Sequence, residues 1–122
     1  MANDFKRFAK ADLGTGVGAS ADTVYTVPAG AGSTALETIV IGISIVNKSN
    51  ELKYVNVFLD NYDGTNDVYI ARLLPIAAYQ TVEIMQGNKI VLQNDGTTGD
   101  ILKASANAGS AIDITVSVLE DV

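Results

Sequence analysis

Isoleucine occupies every second position from 39 to 45: Ile39, Ile41, Ile43 and Ile45. A spacing of two puts alternate side chains on one face of an extended strand, whereas a helix would scatter them around its axis. The pattern returns near the end of the chain as Ile112, Ile114, Val116 and Val118. β-Branched side chains favour a pleated surface, so both segments are expected as strands packing one face on a core. Opposite the isoleucines stand Val40, Gly42, Ser44 and Val46, a face that is still partly apolar.

Shorter runs of the same kind fill the space between. Strands are expected over Asp22 to Val27, Leu36 to Val46, Leu52 to Asp60, Asp67 to Leu74, Gln80 to Met85, Lys89 to Leu92, Asp100 to Ser105 and Ala111 to Leu119. They are separated by turn chemistry: Pro28-Ala-Gly30, Asn47 to Asn50, Asn61 to Asn66 around Asp63-Gly64, and Asp95-Gly96. Gln86-Gly87-Asn88 reads as a short hairpin turn between its two neighbours. A helical turn fits Pro75 to Tyr79. About eight short strands at regular spacing, with no convincing helix, predict an all-β fold: an antiparallel β-sandwich, Ig-like or jelly-roll. A chain of 122 residues suits one such domain, large enough to bury a core without staples.

Residues 1–21 differ from the rest. Met1 to Leu13 is polar and mixed in charge, with Phe5 and Phe8 three apart, and Gly14 to Ala21 is rich in glycine and small residues. The expectation is an N-terminal arm with a flexible connection over 1–21, leading into a sandwich over 22–122. The arm carries Lys6, Arg7 and Lys10 and a net charge of +1, against −7 for the remainder. An acidic body repels nucleic-acid phosphates and anionic membranes, so neither is expected as a partner. No long apolar run follows the basic residues, so no secretory leader is expected.

The chain has no cysteine and no histidine. The commonest general base and the strongest nucleophile are therefore missing, and no enzyme and no cofactor are expected. Glu37, Glu51, Glu83 and Glu120 read as solvated strand faces and edges. Gly14-Thr-Gly16-Val-Gly18-Ala19 matches a dinucleotide-binding fingerprint in letters, but lacks the flanking strand and helix which that motif needs. The acidic turn offers Asp60, Asp63 and Asp67 as calcium ligands. Counted from Gly64, however, a calcium loop would start at Leu59 and end at Ile70, so the turn reads as a hairpin tip and no metal is expected. What stands out instead is aromatic. Tyr54 and Phe58 share the outer face of one strand, and with Phe5, Lys6, Arg7 and Phe8 of the arm they are the expected partner-binding residues.

Three stretches taken in order carry a resemblance: Asp4-Phe-Lys-Arg-Phe8, then Thr23-Val-Tyr-Thr-Val-Pro-Ala-Gly30, then Ile39 to Asn47 ending in Val-Asn. Lys89-Ile-Val-Leu92, Gly99-Asp-Ile101 and Asp113 to Glu120 continue it, so that it spans most of the chain. The order resembles small accessory virion proteins of tailed bacteriophages, of the head decoration or cement type. Ile76-Ala-Ala-Tyr79 departs from it where a Gly-rich turn belongs. The resemblance implies a protein assembled in the host cytoplasm and located in the virion, bound to the major capsid protein or other virion subunits. It also implies a homo-oligomer, a trimer by analogy with capsid three-fold positions. The alternatives are a neck, tail, baseplate or fibre-attachment component, or a receptor- or carbohydrate-binding module.

Overall fold

The computed structural model describes residues 3–60 and 67–121. Nine strands form among them: β1 (Asn3–Lys10), β2 (Asp22–Thr26), β3 (Leu36–Asn47), β4 (Lys53–Asp60), β5 (Val68–Ile76), β6 (Thr81–Glu83), β7 (Ile90–Asn94), β8 (Ile101–Ala106) and β9 (Ile112–Asp121). The only helical piece among the described residues is a single 3-10 turn at Gly18–Ser20. The turn Asn61 to Asn66 lies outside the described residues.

Pairing is nested. β4 pairs with β5, β3 with β6 and β7, β2 with β8, and β1 with β9, all antiparallel. This is one long hairpin rolled upon itself. Rolling separates it into two sheets, β1-β9-β3 with β6 and β7 side by side along β3, and β2-β8-β4-β5. With β6 and β7 sharing one position, the result is a sandwich of eight strand positions wound as a jelly roll.

The two sheets close on a core that includes Val40, Ile43, Ile45, Val55, Val57, Leu102, Ile112, Ile114, Val116 and Val118. The isoleucine ladder enters this core only in part. Between Val40 and Gly42 the register of β3 against β9 slips by one residue, a β-bulge. Before the slip even-numbered residues point inward; after it the odd-numbered ones do. Ile43 and Ile45 are fully buried, while Ile39 is half-buried and Ile41 exposed on the outer face. The Glu83 carboxylate braces the bulge by accepting the Ile43 and Met85 N–H groups, each at 2.9 Å. A Cβ on residue 42 would stand 3.2 Å from that carboxylate, close enough that the glutamate would have to shift to admit it.

Three expectations are corrected here. β6 and β7 do not form a hairpin with each other; both lie against β3, and the turn at Gln86-Gly87-Asn88 carries the chain past the bulge. Pro75 sits inside β5 instead of ending it, a position open to proline on an edge strand. Residues 3–21 are not an arm outside the domain. β1 pairs with β9 along eight residues without a slip, and Leu13 is completely buried, with its N–H bonded to the Ile112 carbonyl at 2.9 Å. The glycines that follow serve a tight corner: a Cβ on Gly16 would collide with the Ser20 carbonyl oxygen at 2.1 Å. The segment ends in a three-residue turn, without the strand and long helix of a dinucleotide site.

Two asparagines pin the ends of the roll. Buried Asn47 donates to the carbonyls of Glu51 and Ile76 and accepts from the N–H and hydroxyl of Ser49. Asn94 donates to the Val27 carbonyl and accepts from the Gly96 N–H. Each replaces several backbone partners that a loop cannot reach by itself.

Candidate functional site

The first strand separates the residues that the sequence grouped together. In β1 the side chains alternate, so Lys6 and Phe8 lie on the inner face beside Val118 and Val116, while Phe5 and Arg7 lie on the outer face beside Leu119 and Ser117. Phe8 packs its ring on Tyr25, centroids 4.5 Å apart. Phe5 is 77% exposed.

Lys6 serves a buried acid. Glu120 is 1% exposed, a correction to its expected place on a solvated strand face. Its Oε2 accepts the Tyr25 hydroxyl at 2.5 Å, and that hydroxyl is 2.9 Å from the Thr38 hydroxyl. Tyr25 has one proton and gives it to the carboxylate, so Thr38 is the donor in the second bond. Oε1 of Glu120 has the Lys6 ammonium at 2.8 Å and no other polar contact. The hydrogen bond to Glu120 and its charge raise the pKa of Lys6. Burial, and then the bond to Glu120, raise that of Tyr25. The network ties β1, β2, β3 and β9 together between the sheets. Of its members, Lys6 also borders a depression at the surface.

A second cluster holds the end of the same segment at the surface. Lys48 pairs with Asp12, and lies 3.0 Å from Asp113. Asp113 also accepts the Asp12 N–H, at 3.0 Å. That bond, and then Lys48, lower the pKa of Asp113.

The outer face of the first sheet is where apolar surface remains. Phe5 stands opposite Leu119, Leu119 opposite Ile39, and Ile39 opposite Val91. These four side chains make one row across β1, β9, β3 and β7, with Phe5 and Val91 exposed and the middle pair half-buried. Beside the row, small Ser117 floors a depression of about 310 Å³ bordered by Phe5, Arg7 and Ile41. At the far end, a second groove of about 260 Å³ is lined by residues including Glu37, Gln93 and Asp95.

The outer face of the second sheet is aromatic. Tyr54 is opposite Pro75, and Phe58 opposite Tyr69. Tyr54 is 39% exposed, but Phe58 is only 1% exposed: Tyr69 covers it from one side at 5.3 Å, with Lys103 as its neighbour on the other strand. The surface presented is therefore Tyr54, Tyr69 and Leu73, with Arg72 over the Tyr69 ring. Leu73 adopts a positive φ of 50° in a second bulge, held by its N–H to the Asn56 side chain.

Of the expected partner-binding residues, Phe5, Arg7 and Tyr54 are exposed, Phe8 is half-buried against Tyr25, and Phe58 is covered. Lys6 is partly exposed but engaged by Glu120. Ile39, Ile41, Val91 and Leu119 on one face, and Tyr69 and Leu73 on the other, lie outside that expected set. Their signal was present in strands apolar on both sides. In the acidic turn, Asp60 Oδ2 stands 3.9 Å from Lys103 Nζ, and Asp63 lies outside the described residues. Asp67 is exposed, and among the described residues no group of three acidic side chains is placed to share a metal ion.

No family model, no curated protein and no solved structure matches this chain.

Proposed function

We propose that this chain is a structural subunit of a tailed-bacteriophage particle, a decoration protein that binds the head surface and stabilises it. The observation that carries this reading is the pair of apolar outer faces, Phe5, Ile39, Val91 and Leu119 on one side and Tyr54, Tyr69 and Leu73 on the other. Contiguous exposed apolar surface marks interaction sites. Two such faces on opposite sides of a thin sandwich suit a subunit that bridges neighbours. On a particle, weak contacts repeated many times add up through avidity. The jelly roll is shared by viral capsid and lectin domains, which supports the reading by analogy only. The order of strand motifs, resembling small phage virion proteins, supports it independently.

In this reading the tyrosine face meets the head. Purified protein added to expanded heads that lack it should bind and raise their resistance to heat and osmotic shock. Tyr54→Asp with Leu73→Asp should keep the fold and lose binding. Removing residues 1–13 is no clean test, because it strips β1 from Val116 and Val118 and leaves Glu120 without its cation. Heads that neither bind nor gain resistance would refute the proposal. A copy number of tens per particle, in place of hundreds, would move the subunit to the neck, tail or baseplate.

A further inference from the structure

We infer that the outer face of the first sheet docks on the same face of a second copy of this chain, about a two-fold axis through Leu119, with Arg7 of each copy against Glu37 of the other. The argument starts from register. Arg7 lies on β1 beside Ser117, one strand away from Leu119 and two residues along. Glu37 lies on β3 two residues before Ile39, the partner of Leu119, one strand away on the other side and displaced in the opposite direction. With strands about 4.8 Å apart and about 3.4 Å per residue, each charge stands roughly 8 Å from Leu119. Both side chains are exposed, and neither has an ion-pair partner among the described residues.

A face with a cation and an anion placed symmetrically about an apolar centre is its own complement. An isologous contact brings residue i to j and j to i. Here that joins two Arg7–Glu37 pairs around a centre of Phe5, Leu119 and Ile39. A foreign partner would not require this symmetry. The axis lies in the plane between the sheets and bisects the line from Arg7 to Glu37. It therefore sets the strands of the two copies near perpendicular, one of the two ways in which sheets pack face to face. The depression over Ser117, bordered by Phe5, Arg7 and Ile41, receives an apolar side chain of the facing copy. The face, four strands wide and about eight residues long, offers on the order of 400–500 Å² per copy. That is the small end of specific interfaces, so the pair is weak and concentration-dependent. It takes the place of the trimer that the phage resemblance implies.

The inference rests on reading this protein as a subunit that works by repeated contacts, and it assigns the face left free when the tyrosine face meets the head. The test is sedimentation of the purified chain from micromolar to millimolar concentration. A monomer–dimer equilibrium is expected. Arg7→Glu and Glu37→Arg should each weaken it by roughly tenfold to a hundredfold, since two pairs become two repulsions. Combining the two substitutions should restore the dimer, and Phe5→Asp should abolish it with the fold intact by circular dichroism. A wild-type monomer throughout, a trimer, a dimer indifferent to Glu37→Arg, or a combined variant that stays monomeric would overturn the inference. The same proteins tested on heads separate the two readings. Head binding without the dimer removes this inference alone, and a dimer as described that ignores heads removes the decoration reading alone.

Discussion

Phe5 and Phe8 stand three residues apart in one eight-residue strand, yet one is 77% exposed and the other rests on Tyr25 under the sheet edge. Lys6 and Arg7 divide in the same way: Lys6 neutralises buried Glu120, while Arg7 faces outward without an ionic partner among the described residues. The inner half of β1 therefore holds the domain together, and the outer half is free to bind. Residue type does not separate the halves, since each has one ring and at least one cation. Strand parity does, because a period of two sends neighbours to opposite faces.

Substitutions on the two halves should sort cleanly, and the largest effect belongs inside. Phe8→Ala removes a half-buried ring and should cost about 2–3 kcal/mol in denaturant unfolding, somewhat below the value for a fully buried phenylalanine. Phe5→Ala should change stability by under about 0.5 kcal/mol, as expected of an exposed site. Equal losses for the two rings would erase the distinction.

Tyr25→Phe probes the inner network more finely. It deletes the donor to a buried carboxylate and should cost about 1.5–3 kcal/mol at neutral pH. It should also flatten the alkaline limb of stability. Tyr25 and Lys6 both titrate higher in the folded state than their ordinary values of 10.0 and 10.5. The unfolded chain then releases protons first, so stability is complete below about pH 10 and falls as pH rises through the folded values. Melting temperatures measured from pH 8 to 11 should decline in the wild type and decline less in the variant.

The smallest effect is expected in the exposed cluster that anchors the same segment. Lys48→Ala should move the neutral-pH melting temperature little, because solvent screens exposed pairs. Asp113 titrates below its ordinary 3.8, held down chiefly by the Asp12 N–H and then by Lys48. Its contribution is present above about pH 4 and lost as pH falls through the folded value. Asp113→Asn should therefore shallow the acid limb of the same melting series. An acid limb unchanged by Asp113→Asn would deny the cluster even this modest role.

Eight of the nine strands were legible from alternation and turn residues, and with them the sandwich. β1 was not, because Asn3-Asp-Phe-Lys-Arg-Phe-Ala-Lys10 is polar at every position but its two rings and one alanine. It becomes a strand by borrowing the regular edge of β9 as a template. Its Leu13 anchor and glycine corner look like a linker when read locally. The candidate site was legible in kind, since aromatic and basic residues near the start and the aromatics Tyr54 and Phe58 in β4 pointed to binding. It was not legible in membership. Phe58 is lost to the surface because Tyr69 comes across from β5, and Ile39 is gained because a bulge two residues later turns the ladder over.

Local pattern determined that this chain forms strands, where most of them begin and end, and that enough β-branched side chains exist to fill one interior. Those follow from near-neighbour sterics and from the turn preferences of glycine, asparagine and aspartate. Tertiary structure alone decided which side of each strand is inside, because that depends on register against a partner distant in sequence. A single extra residue at Ile41 is enough to exchange the two faces. The placement of the outer apolar row, the burial of Glu120 and the symmetry of Arg7 and Glu37 about Leu119 all descend from that long-range choice.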